Sequence, residues 1–191
     1  MKRFCLLVLG FIVSIFSFAQ SVNEIQQYNE AINQQVAQSL AEKYDGPLYH
    51  NQWVTNKDSA SWPVVGMYSA TTDFWYNYPP DILDENDNRD SVLVKINATQ
   101  RSISYWQNET FLFQKGKLLL YTYRLDEGGD VLEQSIYFSL SGKLLQQVIF
   151  FNEKEIPLND NSLEPYQNIL MKPETAIATA KKLTGLFVHS F

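Results

Sequence analysis

Tight turns at close intervals constrain the fold of this chain more than any other sequence feature. Three turns interrupt runs of aromatic, β-branched and polar residues: Lys115-Gly116, Glu127–Asp130 and Ser141–Lys143. The glycine in each turn supplies the positive φ that tight hairpin turns require. Short segments separated by such turns pair with their successors, which predicts an antiparallel β-meander.

The predicted sheet has about six strands, all between residues 64 and 151. Aromatic and β-branched residues, which favour strands, dominate these segments. They are Met67–Tyr78, Val92–Ala98, Ser102–Phe113, Leu118–Tyr123, Val131–Phe138 and Leu144–Phe151. Residues 45–62 connect the sheet to the preceding segment. A structureless connection of that length is uncommon, so we expect it to pack through Trp53 and Trp62 or to contain a short strand.

Two helices are predicted to flank the sheet. Ser21 and Glu24 form a capping box, and apolar residues then recur at helical spacing, which predicts an amphipathic helix over 22–43. This helix covers the sheet or, alternatively, binds a partner. Pro173 opens a second helix over 173–184, with Gly185 as its C′ residue. We therefore expect one α+β domain over residues 20–191, with Leu186–Val188 either packed or forming an edge strand.

The first nineteen residues have the layout of a secretory signal peptide. Lys2 and Arg3 precede an apolar run, and small residues end at Ala19. The run is too short for a comfortable membrane span. We expect cleavage between Ala19 and Gln20, followed by export to the periplasm or the extracellular space. The single cysteine, Cys5, leaves with the signal.

Charge excludes several classes of partner. The chain has 15 basic and 21 acidic residues, a formal net charge of −6. An acidic surface repels phosphate backbones and anionic lipid, so we expect no binding to nucleic acid. Nothing after the signal is long and apolar enough for a transmembrane segment. The partners left open are an envelope protein or a glycan.

Two of the predicted hairpins share a motif. Phe113–Leu118 and Phe138–Leu144 both read aromatic, turn, Gly-Lys-Leu, with a longer loop in the second. In these motifs the chain resembles a group of exported bacterial proteins of uncharacterised function, which carry an N-terminal helix and similar paired hairpins. The resemblance covers about a third of the chain. It implies a fold and a compartment, and it brings no catalytic residue.

An acidic loop offers the best candidate for a metal site. Its oxygen-bearing side chains stand at alternate positions, like the first ligands of a calcium loop. They are Asp84, Asn86, Asn88 and Asp90. Arg89 stands where the sharp turn wants glycine, and Lys95 stands where a bidentate glutamate belongs. The alternative is a solvated acidic loop without metal.

Catalytic motifs are scarce. The chain has two histidines, no cysteine beyond the signal and no nucleophile elbow, so we expect no cofactor and assign no catalytic residue. Glu109 shares an alternating face with Tyr105 and Phe111, where burial could raise the pKa of its carboxyl. With Asp73 it could form a carboxylate pair for hydrolysis. Otherwise Glu109 is exposed or pairs with an arginine such as Arg101 or Arg124.

Aromatic side chains are the remaining candidates for a binding site. Four tryptophans could contact a ligand: Trp75 and Trp106 are expected to pack in the core, whereas Trp53 and Trp62, in the 45–62 connection, are the better candidates to line a groove. The sequence therefore favours a non-catalytic exported binding or interaction domain. The alternatives are an envelope-associated hydrolase that uses carboxylates, and a structural component of the envelope.

Overall fold

The computed structural model describes residues 21–63, 66–78 and 89–190. It is an α+β fold built on one antiparallel sheet. The helices are α1 (Val22–Glu42) and α2 (Pro173–Val188). The strands are β1 (Tyr49–Thr55), β2 (Ser61–Trp62), β3 (Gly66–Tyr76), β4 (Leu93–Ser102), β5 (Tyr105–Gln114), β6 (Lys117–Glu127), β7 (Asp130–Phe138), β8 (Leu144–Phe151) and β9 (Lys154–Ile156).

The predicted meander is confirmed, with more strands than expected. Each strand from β3 to β9 pairs with its successor, β1 pairs with β3 on the outer side, and β2 pairs with the first residues of β3. Eight strands therefore lie along one path, where about six were expected. The two additional strands are β1, from the 45–62 connection, and β9, beyond the predicted end of the sheet at residue 151. Strand β1 is mostly polar and forms a strand because all of its residues pair with β3.

Helix α1 begins at the predicted capping box. The Glu24 backbone N–H donates to Ser21 Oγ at 3.2 Å, and the Ser21 backbone N–H donates to Glu24 Oε2 at 2.9 Å. These two bonds satisfy donors that the first turn leaves free. The apolar stripe of α1 buries Ile25 and Ile32 against one face of the sheet, which we call the α1 face. The helix ends at Glu42, one residue before the predicted end.

Hydrogen bonds show how α1 lies on the sheet. Near its start, Gln26 Nε2 donates to the Tyr137 hydroxyl of β7 at 3.2 Å. Near its end, Ser39 Oγ accepts from the Leu48 backbone N–H, just before β1, at 2.9 Å. Helix α1 therefore crosses the strands from β7 to β1.

Helix α2 crosses the opposite face, which we call the α2 face. It extends to Val188 and so passes Gly185, which was wrongly predicted to end it. Phe187 explains the extension, because its ring is fully buried with centroids 5.7 Å from Phe74 and 5.1 Å from Tyr76. The apolar contact stabilises one more helical turn, so Leu186–Val188 does not form an edge strand.

Both helices cover the same end of the sheet. Trp75 packs with α1 on one side of β3, while Phe74 and Tyr76 pack with α2 on the other. The far ends of β3, β4 and β5 extend beyond both helices.

Among the described residues, no helix has the length and apolar character needed to cross a membrane. The predicted signal peptide, residues 1–19, lies outside the described residues.

Candidate functional site

The four tryptophans do not form one surface. Trp75 lies on the α1 face with 3% of its surface exposed, and the His50 ring stacks on it at a centroid distance of 4.1 Å. Its indole nitrogen is buried without a hydrogen-bond partner among the described residues. Trp106 lies half-buried on the same face as Trp75, in a shallow depression beside Arg101. The side chain of Trp62 lies outside the described residues.

Trp53 is the exception, because it faces the other side and remains open. It lies in the edge strand β1 on the α2 face, with 37% of its surface exposed. Its indole and the Phe74 ring form an edge-to-face contact, with a centroid distance of 5.0 Å and an interplanar angle of 60°. Such an edge-to-face contact holds a ring in place. Trp53 is therefore a positioned aromatic surface at the edge of the sheet.

The two candidate carboxylates lie on opposite faces. Asp73 opposes Asn97 in β4 and faces the α1 side, where its Oδ1 accepts from Gln52 Nε2 and lies 2.8 Å from His50 Nε2. Glu109 opposes Ala98 and faces the α2 side. Carboxylates that catalyse hydrolysis must flank the same bond. The structure does not bring these two acids together.

The structure does not test the predicted calcium loop. Asp84, Asn86 and Asn88 lie outside the described residues, and so does the side chain of Asp90. Within residues 21–63, 66–78 and 89–190, no cluster of three or more His, Asp or Glu side chains could hold a metal ion.

Strand register brings Trp53 and Glu109 into one row across the α2 face. Trp53 lies beside Thr72 of β3, Thr72 beside Ala98 of β4, and Ala98 beside Glu109 of β5. Three strand spacings separate the ends of this row, about 14 Å between Cα atoms. The two small side chains between a large indole and a carboxylate leave a shallow trough.

Polar side chains form the wall of the trough away from the helices. Gln100 and Gln107 oppose each other in the next row, and Gln107 Nε2 donates to Gln100 Oε1 at 2.9 Å. Gln100 Nε2 in turn donates to the Tyr105 hydroxyl. The row on the other side is apolar and includes the buried Phe74 and Phe111. We use the term trough for Trp53, Ala70, Thr72, Ala98, Gln100, Gln107 and Glu109.

Glu109 is the charged group of the trough. Tyr121 donates its hydroxyl hydrogen to Glu109 Oε1 at 2.8 Å. Burial raises the pKa of the Glu109 carboxyl, one of the alternatives that its sequence surroundings left open, while the bond from Tyr121 opposes that rise. Burial first, and the Glu109 charge second, raise the pKa of Tyr123 to about 12. The alternative in which Glu109 pairs with an arginine is not observed, because Arg101 and Arg124 face the α1 side and Arg124 pairs with Glu133.

Replacing Glu109 by glutamine tests this burial. A carboxyl whose pKa is raised on folding loses stability as pH rises from its unfolded pKa to its folded pKa, and the cost persists at pH 7. The amide oxygen can still accept from Tyr121, so we expect E109Q to be at least as stable as the parent at pH 7. Urea denaturation should show this advantage vanish below pH 4. The exposed Glu133→Gln control should lose stability, and an E109Q loss at pH 7 would contradict the assignment.

The two ends of the trough, Trp53 and Glu109, were candidates from the sequence, whereas its polar wall was not. Gln107 alternates with Glu109 and Tyr105 along one strand, so the sequence of β5 alone predicts that Gln107 and Glu109 share a face. The position of Gln107 beside Gln100, and of Glu109 in the row of Trp53, depends on the register of β1, β3 and β4.

No protein family, curated protein or solved structure matches this chain.

Proposed function

We propose that this protein is an exported, non-catalytic domain that binds neutral saccharides in the trough. One observation carries the proposal: the exposed Trp53 indole and the half-buried Glu109 carboxylate stand in one row, with only Thr72 and Ala98 between them. An aromatic face, a carboxylate and side-chain amides together match the mixed apolar and polar surface of a sugar.

Each group has a separate role in this proposal. The Trp53 indole offers an apolar face for the C–H groups of one sugar ring. The Glu109 carboxylate accepts hydrogen bonds from hydroxyl groups, and the Gln100 and Gln107 amides can both donate and accept. The row from Trp53 to Glu109 spans about 14 Å, and with Gln100 and Gln107 beside it this length suits a short chain of sugars better than a single ring.

Charge favours neutral sugars over acidic ones. The chain carries a net charge of −6, and Glu109 places a carboxyl inside the trough. A uronic acid or a sulfated sugar would bring a second negative charge beside it, which costs free energy at short range. The neutral members of an envelope glycan are therefore the proposed ligands.

A binding role fits the acids of this face better than hydrolysis does. Glu127 also faces the α2 side, four residues further along β6 from the neighbour of Glu109. That offset corresponds to about 13 Å, beyond the separation of roughly 5 to 9.5 Å that glycosidase carboxyl pairs use. Tyr121, rather than a second acid, is the hydrogen-bond partner of Glu109.

Calorimetry with paired tryptophan variants tests the proposal. The ligands are neutral oligosaccharides of two to four glucose or N-acetylglucosamine units. Trp53→Ala removes the indole from the trough, whereas Trp106→Ala removes a half-buried indole from the opposite face. We expect Trp53→Ala to weaken binding at least tenfold, about 1.4 kcal/mol, and Trp106→Ala to leave it within twofold. Equal losses in both variants, or no saturable heat at millimolar sugar, would contradict the proposal.

Glu109→Gln provides a second readout in the same titration. We expect it to weaken sugar binding while it preserves or raises stability at pH 7, because a binding group held at a cost in stability is typical of functional sites. A Glu109 that served only to support the fold would lower stability and binding together when replaced.

A further inference from the structure

A second cavity lies at the helix-covered end, and the two motif hairpins build it. The β5–β6 turn contributes Gly116 and Lys117, the β7–β8 turn contributes Ser141 and Gly142, and α2 closes the third side. The cavity volume is about 270 Å³. It lies apart from the trough and is independent of the proposed function.

Backbone geometry fixes the two turns. Gly116 has φ 71° and Gly142 has φ 81°, in the left-handed region that glycine adopts without strain. The Ser139 backbone N–H donates to the Lys143 carbonyl at 2.8 Å, and the Gly142 backbone N–H donates to the Ser139 carbonyl at 2.8 Å. The β7–β8 turn is therefore held by its own hydrogen bonds, and the β5–β6 turn is closed by the pairing of Gln114 with Lys117.

The inner wall of the cavity is apolar. Phe113 and Leu118 supply it from the sheet, and Ile177 and Ala180 supply it from α2. Leu140, with 39% of its surface exposed, extends the apolar surface toward solvent. The Thr184 hydroxyl lies in this wall but already donates to the Ala180 carbonyl at 2.9 Å. A hydrocarbon chain would bury these surfaces together.

The rim of the cavity is cationic in an acidic protein. Lys117 and Lys181 both line it, and its lining among the described residues includes no carboxylate. Neither lysine forms an ion pair with another described residue. Two ammonium groups beside an apolar wall attract an anion that carries a hydrocarbon tail.

We propose that this cavity binds a medium-chain alkyl carboxylate. The carboxylate lies between Lys117 and Lys181, and the alkyl chain lies along Phe113, Leu118 and Ile177. The motif lysine of the first hairpin therefore recognises the ligand. Lys143, the equivalent lysine of the second hairpin, does not line the cavity.

Calorimetry of the purified full chain with sodium octanoate tests this proposal. We expect K117Q and K181Q each to weaken octanoate binding about fivefold, while K182Q, one position along α2 and outside the lining, stays within twofold. Binding should also weaken as sodium chloride rises from about 0.05 to 0.5 M, because partly exposed charges are screened.

Two related probes separate the charge from the tail. Acetate keeps the carboxylate without the chain and should give no saturable heat, while 1-octanol keeps the chain without the charge and should bind at least tenfold more weakly. The proposal is overturned if the K117Q/K181Q double variant binds octanoate like the parent or if K182Q loses as much affinity as K181Q. Octanol binding equal to octanoate, or no saturable heat from millimolar octanoate, would overturn it too.

Discussion

Replacing Lys95 by methionine should stabilise this protein by roughly 3 kcal/mol at pH 7, the value of a pKa displacement from 10.5 to about 8. The lysine side chain is only 7% exposed, under α1 on the sheet. Its ammonium group donates to the Asn33 side chain and has no carboxylate partner among the described residues. Methionine has a similar length and buries no charge.

The pH dependence gives this prediction a sign that packing alone would not produce. Burial lowers the pKa of Lys95, so the unfolded chain binds more protons than the folded chain between about pH 8 and 10.5. Parent stability from this group therefore rises with pH across that window. The variant lacks this contribution, so its advantage should shrink above pH 8 and close near pH 10.5.

Urea denaturation of both proteins from pH 7 to 10.5 measures the difference. Tyrosines ionise near the upper end in the unfolded chain, while burial raises the pKa of Tyr123 to about 12 in the folded protein; these residues are present in both proteins and cancel in the comparison. The exposed Lys143→Met control should give a difference near zero at every pH. A Lys95→Met variant that is less stable than the parent at pH 7, or a gap that does not change with pH, would contradict the buried ammonium.

Replacing Gly46 by alanine should cost about 3 kcal/mol, the upper range for overpacking at a site that cannot relax. A Cβ at this position would lie 2.4 Å from Ser39 Cα and 2.9 Å from Ser39 Cβ. The obstacle is helix backbone, so the connection itself must move away from α1. That movement also stretches the bond from the Leu48 backbone N–H to Ser39 Oγ.

Gly185→Ala is the matched control, and we expect the opposite sign. Nothing lies within 4 Å of a Cβ at Gly185, which is inside α2. Alanine in a helix interior is more stable than glycine by about 1 kcal/mol. Thermal denaturation of both variants checks the pair: a Gly46→Ala melting temperature equal to that of the parent would show that the connection at Gly46 is not in close contact with α1.

Local signals predicted most of the sheet. Gly116, Gly128 and Gly142 have the positive φ that their turns require, and the strands between these turns pair as expected. The capping box placed the start of α1 to the residue. These features depend on neighbours within a few positions, which a sequence displays directly.

Features that depend on distant contacts were missed. Helix α2 passes Gly185 because Phe187 packs on Phe74, more than one hundred positions away. Lys95 alternates with apolar residues in β4 and looks solvent-facing, yet α1 covers it. Strand β1 lacks an apolar alternation, and only its pairing with β3 makes it a strand.

The candidate site also combines features that a sequence displays locally with features that depend on distant contacts. The surroundings of Glu109 in β5 left open a half-buried, an exposed or an arginine-paired carboxyl, and the structure shows the half-buried one with a raised pKa. The sequence favoured Trp53 over Trp75 as a groove residue, because Trp53 lies in a connection and Trp75 in an aromatic strand segment, and their exposed fractions of 37% and 3% agree. Register alone sets Trp53 in the row of Glu109 and sets Trp75 and Trp106 on the opposite face.

The four indole N–H signals in a ¹H–¹⁵N correlation spectrum test the trough most directly. Titration with a neutral trisaccharide should shift the indole signal of Trp53 and the backbone signals of Ala98 and Glu109, while the indole signals of Trp75 and Trp106 stay in place. Assignment comes from the single Trp→Phe variants. Shifts confined to Trp75 or Trp106, or a spectrum unchanged at millimolar sugar, would contradict a saccharide site on the α2 face.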